Sequence, residues 1–275
     1  MYNRLTSLQK ISLHILLLIG SFMIALPFLW MLLTAGKTIA ETTSIPPVIF
    51  PQSFQWENFK RVWEALPFLK FFINTFLMII VQVFTTTIFS TMAAFALAKL
   101  EFPGKKLFFW MVLTQLMIPP QIYITPHYLY AQNLGLLDTV SALAMPGIVS
   151  AFGTFLLRQH FIQLPDELME SAIIDGASIW QVFWKIYFPL TKSGIVALGI
   201  FTSLTAYKAL MWPLVVNISQ SKLPLSAGLA ILQETFVNDY PLLMAGTLIS
   251  VVPIIILYIF FQRQFEEGIS TTGSR

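Results

Sequence analysis

The chain has 275 residues, 56% of them hydrophobic and only 11% charged, with mean hydropathy +0.75 and a formal net charge of +3. Soluble domains carry roughly 25% charged residues, so this composition excludes a soluble globular protein and points to a polytopic membrane protein. Cysteine is absent, so the chain has no disulfide and cysteine usage assigns it no redox compartment.

A helix needs about 20 apolar residues to cross a bilayer. The first such stretch is Ile11–Leu33, preceded by Arg4 and Lys10. Its run of 23 residues is too long for a signal-peptide core of about 7–15, and no small-x-small cleavage site follows. It reads as a retained span. The loop Thr34–Lys70 comes next. Ile45–Pro51 is rigid and extended, because its prolines fix φ and restrict their predecessors. Gln52–Leu66 then reads as a short amphipathic helix carrying Trp56, Phe59 and Trp63, either an interfacial aromatic belt or a docking face for an external protein. The second span is Phe71–Leu97. After it, Pro103-Gly104 makes a tight turn, and Lys99, Lys105 and Lys106 are expected to anchor the membrane interface. Spans three and four are Leu107–Pro126 and Thr139–Leu157. The polar segment Arg158–Thr191 separates them from the fifth span, Ser193–Val216. The loop Asn217–Tyr240 leads to the sixth, Pro241–Gln262.

Basic residues orient the spans. With the N-terminus inside, the inner segments hold Arg4, Lys10, Lys99, Lys105, Lys106, Arg158, Lys185, Lys192, Arg263 and Arg275. The outer segments hold Lys37, Lys60, Arg61, Lys70 and Lys222. Both termini and the Arg158–Thr191 segment are therefore expected in the cytoplasm.

That segment has the clearest local grammar. Pro165 suits a first helical turn, and Asp166 and Glu167 complement its positive end. Leu168, Met169, Ala172 and Ile173 share one side, and Gly176 permits a left-handed stop. Ser178 with Gln181 forms a capping box for a second helix, in which Ile179, Val182, Phe183, Ile186 and Tyr187 follow helical spacing. Pro189 marks entry to the fifth span. A helix–turn–helix against the membrane is either structural or a docking element.

Reactive chemistry is absent. Gly36-Lys37-Thr38 looks like the end of a phosphate-binding loop, but the earlier glycine is replaced by Met31. His14, His127 and His160 are far apart and no metal-ligand spacing occurs. None of the 13 acidic residues lies inside a span, which argues against an ion-coupled carrier. Pro27, Pro119-Pro120, Pro146 and Pro213 fall inside four spans, as suits helices lining a cavity.

The polar segment resembles the EAA loop of binding-protein-dependent ABC import permeases: Glu-Ala-Ala, three residues, Gly, nine residues, then Ile-x-Leu-Pro. Glu170, Gly176, Ile186 and Pro189 match in spacing, whereas Ser171 and Phe188 replace the usual Ala and Leu. Asp175-Gly176-Ala177 fits the sugar-importer version. The segments Ala98–Lys105, Met117–Gln121, Leu134–Thr139, Trp212-Pro213-Leu214 and Phe261–Ile269 resemble the carbohydrate-uptake branch, close to maltose-type second permease subunits. One departure is Tyr207-Lys208-Ala209-Leu210-Met211, where that branch often has Trp-Asn-Asp-Phe-Leu.

The resemblance implies an all-α fold of six transmembrane helices. Residues 1–70 would hold the first span and outer loop, 71–262 a five-helix core with the coupling loop 158–191, and 263–275 a cytoplasmic tail. It implies a carbohydrate permease subunit and not an enzyme, with no cofactor or metal of its own. Its partners would be two ATPase subunits that bind ATP, a second homologous permease, an extracytoplasmic substrate-binding protein and membrane lipid, with no nucleic acid. Glu170, Ser171, Ala172, Asp175, Gly176, Ala177, Ile186 and Pro189 would form the ATPase-coupling loop. The alternative is an ion-coupled secondary transporter or channel subunit. Tyr207, Lys208 and Trp212 are candidate pathway residues. A lysine near a bilayer centre costs about 2.5–3.5 kcal/mol. Lys208 therefore either bonds backbone carbonyls or the second permease, or stands in the pathway as a cation favouring an anionic substrate.

Overall fold

A computed structural model describes residues 6–270, which form helices and loops with no strand among them. Arg4 and Arg275 lie outside the described residues, as do the side chains of the tail motif Phe261–Ile269 apart from Gln262. The chain divides into two compact units, residues up to Leu66 with Leu229–Ile255, and Pro67–Gly228 with the residues from Ile256 onward.

In the first unit, α1 (Ser7–Ala35) opens on a capping box between Thr6 and Gln9. Its apolar length, Leu8–Ala35, suffices to cross a bilayer, and its most apolar window is not buried within the chain. A helix that is apolar all round and covered by nothing belongs in hydrocarbon. Gly36 closes it, and the chain returns across that point. The Gln55 N–H donates to the Gly36 carbonyl at 2.8 Å, and a Cβ on Gly36 would sit 2.3 Å from the Phe54 ring. Thr38 caps α2 (Ile39–Thr43). Lys37, only 2% exposed, places Nζ 4.5 Å over the Trp30 ring. The Gly-Lys-Thr triplet is thus one helix end followed by another's start. The helix expected over Gln52–Leu66 begins later, as α3 (Glu57–Ala65). The residues before it are spent on the return over Gly36 and on Glu41, whose carboxylate accepts from the Gln52 N–H at 2.8 Å. Backbone N–H groups of Thr38 and Gln52 hold the Glu41 carboxyl below its ordinary range. Asn58 donates to the carbonyls of Ala35 and Lys37, both at 2.9 Å, and Arg61 pairs with Asp239 at 3.0 Å.

The second unit is organised around α4 (Phe68–Lys99), an unbroken apolar helix. The next three apolar stretches are broken. α5 (Lys105–Met117) and α6 (Ile124–Asn133) are separated by Ile118-Pro119 and a short 3-10 turn, with a 102° bend. α7 (Val140–Ala144) passes through a 3-10 turn at Met145–Gly147 before α8 (Ala151–Ile162), bent by 46°. The polar segment holds α9 (Glu167–Ile174), α10 (Ile179–Val182) and α11 (Phe188–Leu190). The fifth stretch is α12 (Lys192–Tyr207), then a gap, then α13 (Met211–Val216). The apolar stretches Leu107–Pro126, Thr139–Leu157 and Ser193–Val216 are thus each interrupted. Pro119, Pro146 and Pro213 each remove a backbone donor and crowd the carbonyl four residues earlier. Two helices, α1 and α4, are long and apolar enough to cross a membrane alone, or up to five if α5 with α6, α7 with α8, and Ile179–Leu190 with α12 each count as one bent span. α14 (Leu225–Thr235) and α15 (Tyr240–Ser270) complete the chain, and α15 contributes an apolar helix over Tyr240–Ile256.

A break inside an apolar bundle frees carbonyls that lipid cannot satisfy. α4 supplies the missing donors. Gln82, Thr86 and Ser90 recur every four residues and so share one face. Gln82 Nε2 donates to the carbonyls of Leu143 and Ala144 at 3.4 and 3.3 Å. Thr86 donates to the Gly147 carbonyl and Ser90 to that of Ser150. The approach is close enough that a Cβ on Gly147 would lie 2.3 Å from Gln82 Cδ. Gly147→Ala should therefore displace Gln82 and orphan two carbonyls, costing about 1–3 kcal/mol. A lower thermal midpoint of the purified protein checks this.

At the other end of α4, Asn74 donates to the carbonyls of Ser221 and Leu223, and Thr75 accepts the Leu225 N–H at 2.8 Å. Asp138 accepts the N–H groups of Ile218 and Ser219 and the Ser219 hydroxyl, which hold its carboxyl below the ordinary range. The start of the Asn217–Tyr240 loop is thus fixed, with Leu223 and Leu225 almost fully buried. Ile218, 91% exposed, is the side chain it offers outward.

Candidate functional site

Two places in the second unit gather the residues named from sequence. The first is the polar loop. α9 starts at Glu167, with Asp166 at its cap position and Pro165 just before it, so Pro165 precedes the first turn instead of lying in it. The helix stops in a Schellman turn. The Gly176 N–H donates to the Ile173 carbonyl and the Ala177 N–H to the Ala172 carbonyl, both at 2.9 Å. Gly176 has φ +83, and a Cβ there would meet nothing within 4 Å. Glycine is needed for the left-handed backbone and not for room. Ser178 and Gln181 then form the reciprocal capping box.

The second helix departs from the single α-helix expected over Ile179–Tyr187. After α10 the chain widens into a π-helical turn at Phe183–Tyr187, and the Phe188 N–H reaches back to the Phe183 carbonyl. Pro189 explains this, since it cannot donate to the Lys185 carbonyl and would crowd it in a regular turn. The loop is anchored by rings. Phe95 lies 5.2 Å from both Phe183 and Tyr187, and 5.8 Å from Phe161. Ala172 belongs to this buried cluster, and Ala177 and Ile186 pack on its edge.

The remaining coupling candidates face outward. Glu170, Ser171, Asp175, Gly176 and Pro189 are exposed. The Ser171 hydroxyl donates to the Glu167 carbonyl, while the Glu170 carboxylate has no hydrogen bond or ion pair among the described residues. Apolar side chains share this exposure: Ile174 is 84% exposed and Trp180 59%.

Lys99 was expected at the membrane interface. Instead its side chain is 4% exposed and grips the loop. Nζ donates to the Leu164 carbonyl at 2.6 Å, pairs with Asp166, and stands 5.5 Å over the Tyr187 ring. The buried Tyr187 hydroxyl donates to the Pro165 carbonyl at 3.2 Å. Burial and the nearby Asp166 and Glu167 charges raise its pKa above the ordinary phenol value. The sequence signal for Lys99 was slight: a lysine closing α4, where a helix C-terminus favours a cation.

The second place is a cavity of about 940 Å³, bounded by the broken stretches. Lys208 and Trp212 line it, whereas Tyr207 packs into the apolar cluster around Met78 and Leu143. Lys208 lies where α12 has ended and α13 has not begun, not in mid-helix. Trp212 is 9% exposed and donates its indole N–H to the Ala142 carbonyl at 2.9 Å, so its polar handle is used within the fold. Sequence reasoning did not pick out His127, which lies 5.8 Å from Trp212 and 6.0 Å from Tyr123 between ring centroids. Nor did it pick out Gln82 and Thr86, although their spacing of four on one apolar span was visible.

Broken apolar helices around a cavity, joined to a built polar loop, define a membrane permease. Residues 87–271 match the family described as binding-protein-dependent transport system inner membrane component, and the chain belongs to that family. The arabinooligosaccharides transport system permease protein AraQ of Halalkalibacterium halodurans is 36% identical, covering 92% of each chain. The sn-glycerol-3-phosphate transport system permease protein UgpE of Yersinia pestis bv. Antiqua is 31% identical, over 93% of this chain and 94% of the relative. A bacterial ABC transporter involved in importing the acidic polysaccharide alginate shares the fold, with TM-score 0.78 and 22% identity over 92% of this chain and 95% of its own. The resemblance read from the polar loop is borne out. The protein is an inner-membrane permease subunit of an ABC importer, and its family transports and does not catalyse.

Proposed function

We propose that this chain forms half of the translocation pathway for a carbohydrate, paired with a second homologous permease and driven by two ATPase subunits that bind ATP in the cytoplasm. Relatives named for arabinooligosaccharides and for sn-glycerol-3-phosphate support the substrate class. An external binding protein delivers the substrate. Glu170, Ser171, Ala172, Asp175, Gly176, Ala177, Ile186 and Pro189 form the loop on which an ATPase pulls. The observation that carries this role is its division of labour. Ala172 and the aromatic cluster fasten the loop to the core, while Glu170, Ile174 and Trp180 remain open to a partner.

The reading requires six crossings with both termini inside, as the ten-to-five basic bias favours. Reporter fusions after Leu137 and Gln220 are expected to read as external, and one after Gln181 as cytoplasmic. An external signal after Gln181 would put the loop beyond reach of any cytoplasmic ATPase and remove the proposal.

A further inference from the structure

We propose that the cavity beside Lys208 is a substrate subsite selective for anionic sugars, either uronates or sugar phosphates, with Lys208 as its specificity-determining cation. This rests on the permease reading above.

The first support is charge. Among the residues lining the cavity there is one lysine, Lys208, and no aspartate or glutamate. Lys208 is exposed at the cavity wall and its side chain has no hydrogen bond or ion pair among the described residues. An ammonium within an apolar bundle is costly unless it meets an anion or water. A carboxylate or phosphate arriving there would be desolvated beside it, where a charge-assisted hydrogen bond is strongest.

The second support is backbone. Lys208 sits in the gap between α12 and α13, and residues of this gap and of the Ile118-Pro119 break between α5 and α6 line the same cavity. Irregular backbone at membrane depth persists where it borders a polar cavity, and interrupted helices commonly build midplane sites.

The third is the shape of the rest of the wall. The volume of about 940 Å³ lies within the usual range for small-molecule sites, about 300–1,000 Å³. Tyr123 and His127 line the wall and stack on each other at 6.0 Å, an aromatic patch of the kind that packs against the C–H side of a pyranose. Gln115 and Thr202 line the wall, and their side chains make no hydrogen bond within the described residues, which leaves them for hydroxyl groups.

The test uses the complete transporter, with both permeases, the ATPase and the binding protein, in proteoliposomes. Matched probes are digalacturonate against galactobiose, and glucose 6-phosphate against glucose. The wild type is expected to take up the anionic member of a pair in preference. Lys208→Met should lower kcat/KM for that member by about tenfold to a hundredfold, as befits loss of a hydrogen bond to a charged group, and by a much smaller factor for the neutral member. Lys208→Arg should keep the preference. Equal import of anionic probes by wild type and Lys208→Met would overturn the assignment, as would wild-type uptake of neutral probes alone, with the permease reading still standing. Loss of the permease heterodimer in Lys208→Met would also overturn it, by showing that Lys208 binds the partner. An assembled complex that imports no probe at all fails the carbohydrate reading and this one together.

Discussion

Gly176→Val is expected to abolish ATP-driven uptake while leaving membrane insertion intact. The reason is local and conformational. Gly176 holds φ +83, with open space where a side chain would go. Valine therefore meets no clash in this chain but resists the left-handed backbone, a strain of about 1–3 kcal/mol or more for a β-branched residue. The loop can relieve that strain by opening the Schellman turn. It would then lose the two 2.9 Å bonds that set Ser178 in place to cap the next helix. Both the angle between α9 and α10 and the surface offered to the ATPase would change. Co-purification with the ATPase should weaken in parallel with uptake. Asn tolerates this conformation better, so Gly176→Asn should retain part of both. Glu170→Ala removes an exposed carboxylate and should be milder still. Normal uptake by Gly176→Val would end the case for the loop as the coupling element.

Lys99→Met should uncouple the importer, with ATP hydrolysis persisting and substrate moved per ATP falling sharply. Lys99 is a polar connection between the end of α4 and the loop, beside the Phe95 ring contacts, through the Leu164 carbonyl, Asp166 and the Tyr187 ring. Methionine keeps the apolar stem and leaves the Leu164 carbonyl without that donor, at about 1–3 kcal/mol. The exposed face of the loop is untouched, so the ATPase should still bind. The measurement is the ratio of uptake to ATP hydrolysed in proteoliposomes. A proportional fall in both activities would indicate lost assembly instead, and an unchanged ratio would remove Lys99 from the coupling path.

The loop was largely legible because its signals are local. Gly176, Ser178 and Gln181 each act on backbone groups within a few residues, so spacing alone announces the turn and the cap. The all-α class followed as directly from apolar run lengths. What escaped depends on partners distant in sequence. Lys99 reads as one more interfacial lysine until α4 meets the residues around Leu164. Gln82, Thr86 and Ser90 gain their meaning only beside the carbonyls of the fourth stretch, some 60 residues away. The broken helices were half visible. Their prolines were noted, but counting apolar residues measures length and says nothing of hydrogen bonds. Tyr207 and Lys208 are neighbours in sequence, yet the helix end between them sends one to the apolar cluster and the other to the cavity.

The three donors on α4 also set mechanical limits. Gln82, Thr86 and Ser90 fasten it to the fourth stretch over two helical turns. Sliding one past the other by a single turn would break every one of these bonds at once. α4 and the Leu143–Ser150 segment therefore travel as one rigid strut. Any tilting that opens or closes a passage has to be taken up at compliant points outside that strut. The second unit supplies two, at Ile118-Pro119 and at the gap spanning Lys208–Leu210. The cation that would meet the substrate thus stands on a joint, so its position and the posture of the core cannot change independently.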